Sequence, residues 1–353
     1  MKKLKVMALF LLVLAVGCGT GGDETGATGA DEPLNVIATI FPQFDFVRQI
    51  AGDRVELSML ISPGAESHGF EPTPRDMVAI NNADLLIYIG GHSDDWVERI
   101  IESLEREDLI TVALLDLVDA VMADHEHHHD EHHHHGHEHH GHGHHHDHEH
   151  HHHEHGHHDH EHHHHDHGHH HEHHHHEPHY DEHVWTCPRN AILIVQGLTE
   201  VLAEADPANA EYFRANAAEF ISLLQEIDAE FTQITADAVR TTIIFGDRFP
   251  FRYFADTYGL TAYAAFTGCS AETQASPATI AFLINKVNDE NIPFVFHIEF
   301  SNLLIANVIA EATGARLLEL HSAHNVSHAD FNAGVTYIDL MRRNAISLRE
   351  GLN

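Results

Sequence analysis

Histidine is the residue whose type and spacing can do chemistry in this chain. All but seven of its 44 histidines fall between His125 and His179, interleaved with Asp, Glu and Gly. Imidazole is the commonest protein ligand for zinc, copper and nickel, so the tract reads as a multivalent collector of weakly held metal ions. It has almost no apolar side chain to bury and cannot offset the entropy of ordering its backbone. The composition therefore predicts a disordered loop over residues 125–179. Its internal position, length and mixture with carboxylates separate it from an engineered tag. A bland solvated spacer is the competing reading.

The remaining histidines need a scaffold. LNVIATI (34–40), VELSMLI (55–61), DLLIYIG (84–90) and TVALLD (111–116) are apolar, β-rich runs separated by helix-like stretches. That alternation predicts βαβ units in a parallel sheet covered on both faces, a first lobe over 34–124 that ends with residues 180–205. Thr73-Pro74-Arg75-Asp76 has the form of a helix start, with Thr as N-cap, Pro at the first position and an acid at the third. Beyond the tract, residues 187–205 read as one helix. A second, over 206–239, carries Phe213, Phe220, Leu223, Leu224, Ile227, Phe231 and Ile234 at spacings of a single buried face. TTIIFGD (241–247), LTAYAAF (260–266), PFVFHIE (293–299) and ARLLEL (315–320) then begin a second strand–helix alternation, closed by a helix over 334–352. The expected architecture is α/β: two lobes, 34–205 and 240–353, each with a mostly parallel sheet flanked by helices, joined by one long helix.

In open parallel sheets ligands collect at the carboxyl ends of strands. His68 follows the second strand, His183 precedes the helix that leaves the tract, His321 follows the last strand, and Asp247 ends the first strand of the second lobe. Zinc asks for about four such N and O ligands in a tetrahedron. These four are the candidate metal ligands, with His324 or water as alternatives to Asp247, and a structural ion pair of Asp247 with Arg248 or Arg252 as the competing role for that acid. Glu299, at a strand end, is placed to hold a ligand imidazole. His92 and His328 read as exposed residues, and His297 as a satisfied sheet residue.

The ends and the charge bound location and partners. Lys2, Lys3 and Lys5 precede an apolar run, Val6 to Val16, too short to span a bilayer. Residues 1–17 read as a signal peptide, and Ala15-Val16-Gly17-Cys18 resembles the bacterial lipobox, which implies an acylated Cys18 followed by a flexible tether over 18–33; an uncleaved anchor is the competing reading. The formal net charge of −37 argues against nucleic acid, and no Lys or Arg occurs from Glu107 to Pro188. Cys187 and Cys269 remain; a disulfide and two buried thiols are both open. No HExxH-type motif supports a zinc hydrolase, so the chain is not expected to be an enzyme.

PGAESHGFEPTPRD (63–76) resembles the first ligand motif of the zinc-type solute-binding proteins of metal ABC transporters, the ZnuA and AdcA-like family. DEHVWTCPRNA (181–191) resembles its second, usually DPHVWLDP, with the His-rich tract lying between the two, and the likeness extends to the closing NAISLREGL. The resemblance implies an extracytoplasmic, lipid-anchored monomer with two lobes and a rigid connecting helix. It implies that the protein holds one Zn(II) in the interlobe cleft for delivery to a membrane permease, and it places His68 and His183 as ligands. A surface zinc buffer or adhesin of the same fold is the alternative. The second lobe departs from the family pattern. Tyr253-Phe254 and Tyr258-Gly259-Leu260 are present, but FGDRFPF replaces a His-bearing segment, and His321 stands where relatives carry Asp or Glu. Three imidazoles with at most one carboxylate favour zinc over manganese.

Overall fold

The computed structural model describes residues 32–65, 70–104, 106–121, 180–266 and 275–353. The signal segment, Cys18, nearly all of the tether, His68, the His-rich tract and Cys269 lie outside the described residues. Met1–Pro33 separates from a compact unit, Leu34–Asn353, which contains every element below.

In the first lobe, β1 (Leu34–Ala38), α1 (Phe41–Ala51), β2 (Val55–Met59), α2 (Pro74–Asn81), β3 (Leu85–Tyr88), α3 (Asp95–Ser103) and β4 (Ile110–Ala113) follow one another. The four strands are parallel in the order β2-β1-β3-β4. The two-residue period sorts their side chains: Ile37 and Leu86 pack with Ile80, Val97 and Ile100, while Val36, Leu85 and Ile87 join the larger core with Phe46 and Ile50. Covering both faces is what makes these strands continuously apolar. At the start of α2, Thr73 N donates to Asp76 Oδ2 at 2.8 Å and the Thr73 hydroxyl caps the Asp76 amide, as the sequence predicts.

Two helices lead out, α4 (Pro188–Ala205) and α5 (Ala210–Ala236). The 27 residues of α5 span roughly 40 Å. Its buried face is Phe213, Ala217, Phe220, Leu224, Ile227, Phe231 and Ile234, a strict alternation of four and three. Leu223, expected on that face, is 38% exposed, because one residue from Leu224 is a rotation of about 100°.

The second lobe repeats the plan: β5 (Thr242–Arg248), α6 (Arg252–Tyr258), β6 (Thr261–Phe266), α7 (Pro277–Asp289), β7 (Phe294–His297), α8 (Leu304–Thr313), β8 (Arg316–Glu319), α9 (His328–Asn332) and α10 (Tyr337–Leu352). Its parallel order, β6-β5-β7-β8, copies the first sheet. One apolar core runs through both lobes. Phe46 of α1 lies 5.9 Å from Phe220 of α5 and 5.1 Å from Tyr337 of α10, ring centre to ring centre. Polar pins add to it: Arg48 of α1 bridges Asp45 and the Val335 carbonyl, and the Tyr337 hydroxyl donates to Trp185 O at 2.6 Å. Cys187 is a buried free thiol, 3.3 Å from the Thr257 hydroxyl.

Candidate metal centre

The described chain resumes at Tyr180 and passes through Asp181, Glu182 and His183 into a single 3₁₀ turn, Val184–Thr186, before α4. His183 is 3% exposed. Its Nδ1 lies 3.0 Å from Asp181 Oδ1, and that oxygen also accepts the His183 backbone N–H at 3.0 Å. Burial pushes the Asp181 carboxyl up, but the hydrogen bonds and charge of His183, with Arg252 nearby, outweigh it and hold the group below its ordinary value. An ionised Asp181 accepts the Nδ1 proton and leaves the lone pair on Nε2, the arrangement that orients metal-binding imidazoles. Asp181→Asn should weaken metal binding about ten- to a hundredfold, the usual effect of removing such a partner; competition against a chelator of known affinity measures it.

The His183 ring faces that of His324 at 6.0 Å, nearly perpendicular, and Trp185 packs against both at 5.5 and 5.2 Å. Two imidazoles on one tetrahedral zinc, with Zn–N near 2 Å, have ring centres about 5 Å apart, so a small approach brings this pair to a shared ion. The Trp185 Nε1–H donates to Ser322 O at 2.9 Å, tying the His183 segment to the turn that carries His324.

His324 also lines a cavity of about 280 Å³ with Asp247, Glu299, Ser322 and, from the first lobe, Gly64 and Ala65. Most of the lining ends or follows a strand, as in other open parallel sheets, and Leu304 and Ile305 of α8's first turn complete it. Asp247 Oδ1 accepts the Arg248 N–H at 2.8 Å, whereas Oδ2 is buried with no hydrogen-bond partner among the described residues. Asn325 reaches across the cleft and donates to both Ser62 O and Ala65 O at 2.9 Å, fixing the backbone just before residue 66.

A family model for the zinc-uptake complex component A, periplasmic, matches residues 36–351. The chain belongs to the ZnuA family. It is 27% identical over 347 residues to the high-affinity zinc uptake system protein ZnuA of Bacillus subtilis, covering 98% of this chain and 96% of that protein. It is 26% identical to the zinc-binding lipoprotein AdcA of Streptococcus pneumoniae over 99% of this chain but 61% of that longer protein. Among solved structures it resembles the Zn(II)-bound ZnuA-like domain of S. pneumoniae AdcA, with a TM-score of 0.66 at 23% identity over 91% of this chain and 99% of that one. It also resembles the laminin-binding protein Lbp of Streptococcus pyogenes, with a TM-score of 0.65 at 20% identity over 91% and 100%. These likenesses carry the two-lobed α/β fold.

Within this ZnuA-family frame the sequence-predicted residues fall into three groups. Asp247 lines the cavity, and His183 adjoins the ring of His324, which lines it too. His68 lies outside the described residues, although Ala65, three residues before it, lines the cavity. His321, directly after β8, is buried, but its Nδ1 accepts the Ala323 N–H at 2.9 Å, so the neutral ring carries its hydrogen on Nε2. Glu299 does not hold that ring. Its oxygens accept from Ser322 N at 2.7 Å and Ser322 Oγ at 2.5 Å, leaving Oε2 3.6 Å from His321 Nδ1. Among the described residues no three His, Cys, Asp or Glu side chains are gathered to hold a metal. His92 is exposed and 2.9 Å from Asp95, His297 Nδ1 donates to Ile298 O at 2.9 Å, and His328 is exposed at the start of α9.

Asp181 was missed by sequence reasoning, whereas His324 was named there as an alternative to Asp247, without its nearness to His183. Asp181 carried a signal, since a carboxylate two residues before a histidine can reach its Nδ1. The nearness of His324 carried less, because it depends on the positive φ of 59° at Ala323 that folds the turn back.

Proposed function

We propose that this ZnuA-family chain is an extracytoplasmic receptor that captures one Zn(II) in the interlobe cleft and delivers it to an ABC permease, anchored as a monomer through acylated Cys18. The observation that carries the reading is the Asp181–His183 pair, which sets a buried imidazole in the metal-accepting tautomer. His183, His68 and Asp247 are the proposed ligands. The fourth is His324 ahead of His321, since His324 adjoins the His183 ring and lines the same cavity as Asp247, whereas His321 Nδ1 is already engaged. The orphaned Asp247 Oδ2 fits the set, because a buried carboxylate oxygen with no donor is a lone pair awaiting a cation. Membership of a family of zinc-uptake components supports a carrier over a zinc hydrolase.

Zinc competition titration with anomalous scattering at the zinc edge tests this. One tight ion between His183 and Asp247 is expected; no tight binding, or an ion outside the cleft, overturns it. Loss of zinc uptake by cells lacking the chain, at scarce zinc, separates a transport receptor from a surface buffer or adhesin.

The His-rich tract is proposed to collect metal for the cleft. Deleting residues 125–177 should lower total zinc stoichiometry to about one while leaving the tightest site unchanged. In the full chain the extra, weaker ions should leave as pH falls through about 6.5, where free imidazoles protonate. Calorimetric titration at two pH values reads both outcomes.

A further inference from the structure

The described residues break off after Val121 and resume at Tyr180. The two ends meet, with Asp181 N donating to Val121 O at 2.9 Å. A side chain from the other lobe closes the same junction. Tyr253, on α6 and 5% exposed, donates its hydroxyl proton to Asp181 O at 2.7 Å and accepts the Val121 N–H at 3.0 Å. One phenol oxygen therefore bridges Val121 and Asp181. The residue it holds, Asp181, is the one whose carboxylate fixes His183.

We propose that Tyr253 is a positioning residue for the metal centre: its hydroxyl clamps Val121 and Asp181 together and so holds the Asp181 carboxylate in register with His183 Nδ1. This rests on the reading of His183 as a zinc ligand. Three observations support it over a purely structural role. First, the bonds run to backbone atoms, so they set the path of the chain at Asp181 independently of neighbouring side chains. Second, burial pushes the Tyr253 hydroxyl up to about 12, keeping it a donor to the Asp181 carbonyl throughout the physiological range. Third, Tyr258, one turn and a half later on the same helix, spends its hydroxyl differently, donating to Asp228 of α5 at 2.7 Å. The two tyrosines share a helix and a bond type, but only Tyr253 reaches the His183 segment.

The test is a double-mutant cycle on zinc affinity in the full-length chain, read by chelator competition. Tyr253→Phe should weaken zinc binding about tenfold, within the range for lost partners of metal ligands. Asp181→Asn should weaken it as stated above, and the double variant should be no worse than Asp181→Asn alone, because both act through one carboxylate. Tyr258→Phe, which loses a comparable buried hydrogen bond, should lower the melting temperature without changing zinc affinity. Replacing zinc by Co(II) gives a second readout, in which Tyr253→Phe should alter the visible ligand-field bands and Tyr258→Phe should not. Multiplicative effects in the cycle, or unchanged affinity in Tyr253→Phe, would overturn the assignment. Hydrogen exchange in the wild-type chain checks it without any substitution: the Val121 amide should exchange slowly, and more slowly with zinc bound, and unprotected exchange there rejects the clamp. A wild-type chain that binds no zinc refutes the receptor reading itself, a different failure from a zinc-binding chain indifferent to Tyr253.

Discussion

Replacing His183 by alanine is expected to lower zinc affinity in the cleft by two to three orders of magnitude, the largest effect of any single ligand substitution here. Structural zinc sites are worth roughly 10–16 kcal/mol, so one of about four ligands carries on the order of 3–4 kcal/mol. His183 should reach the top of that range because its partner loses as well. Asp181, 8% exposed, would keep its charge in a dry setting with its principal donor gone. The His183→Ala chain should still fold, since Trp185, Val184 and Cys187 beside it remain packed in the shared core. His92→Ala is the matched control. Its ring is exposed, and it pairs with Asp95 on the surface of the first lobe, so zinc affinity should stay within experimental error. Running His321→Ala beside His324→Ala assigns the remaining position, with the greater loss expected for His324. Affinity of His183→Ala within threefold of wild type would remove the cleft site from this account.

The same histidines show how far sequence reasoning reaches. The strands were legible because they are buried on both faces: all eight apolar runs became strands, with ends differing by at most three residues. The α5 face was legible from its period, apart from Leu223. That Asp247, Glu299 and His324 line one cavity beside strand ends followed from the parallel topology, a property of the whole chain that local sequence encodes redundantly. Details that depend on one torsion or one tautomer were not legible. His321 and His324 are three residues apart, and which of them meets His183 is decided by the left-handed turn at Ala323 and by the Ala323 N–H that occupies His321 Nδ1. Glu299 was read as an imidazole partner from its place at a strand end, yet the nearer Ser322 takes both oxygens. The clamp by Tyr253 joins residues 132 positions apart in the sequence, and no pattern in either segment announces it.

Asp94→Asn is expected to stabilise the metal-free protein at pH 8 by about 2–4 kcal/mol and to have almost no effect near pH 4. Asp94 is 4% exposed and uses Oδ2 to accept the N–H groups of Ile89 at 2.6 Å and Gly90 at 3.3 Å, where the chain leaves β3. Burial pushes its carboxyl up to about 7, the two backbone donors pull the other way, and the charges of Glu182 and Glu98 push it further up. Glu182 can lie so near because residue 91 is glycine. A β-carbon there would sit 2.8 Å from Glu182 Oε1, and the φ of 82° disfavours any other residue. In the unfolded chain an aspartate releases its proton near 3.9. Between about pH 4 and 7 the folded state thus binds the extra proton, so this group's contribution to stability is whole below about pH 4, declines as pH rises and is gone above about 7. At about 1.4 kcal/mol per pH unit the full window is roughly 4 kcal/mol, an upper figure because local relaxation lets water share the charge. Asparagine keeps an oxygen for both N–H donors and has no proton to lose. Thermal midpoints of the two proteins should therefore coincide at pH 4 and separate by several degrees by pH 7, with no further divergence at pH 8. Zinc must be absent, because a ligand bound only to the folded state adds its own pH-dependent stabilisation. A constant offset at every pH would assign the gain to packing and leave the Asp94 proton without a role.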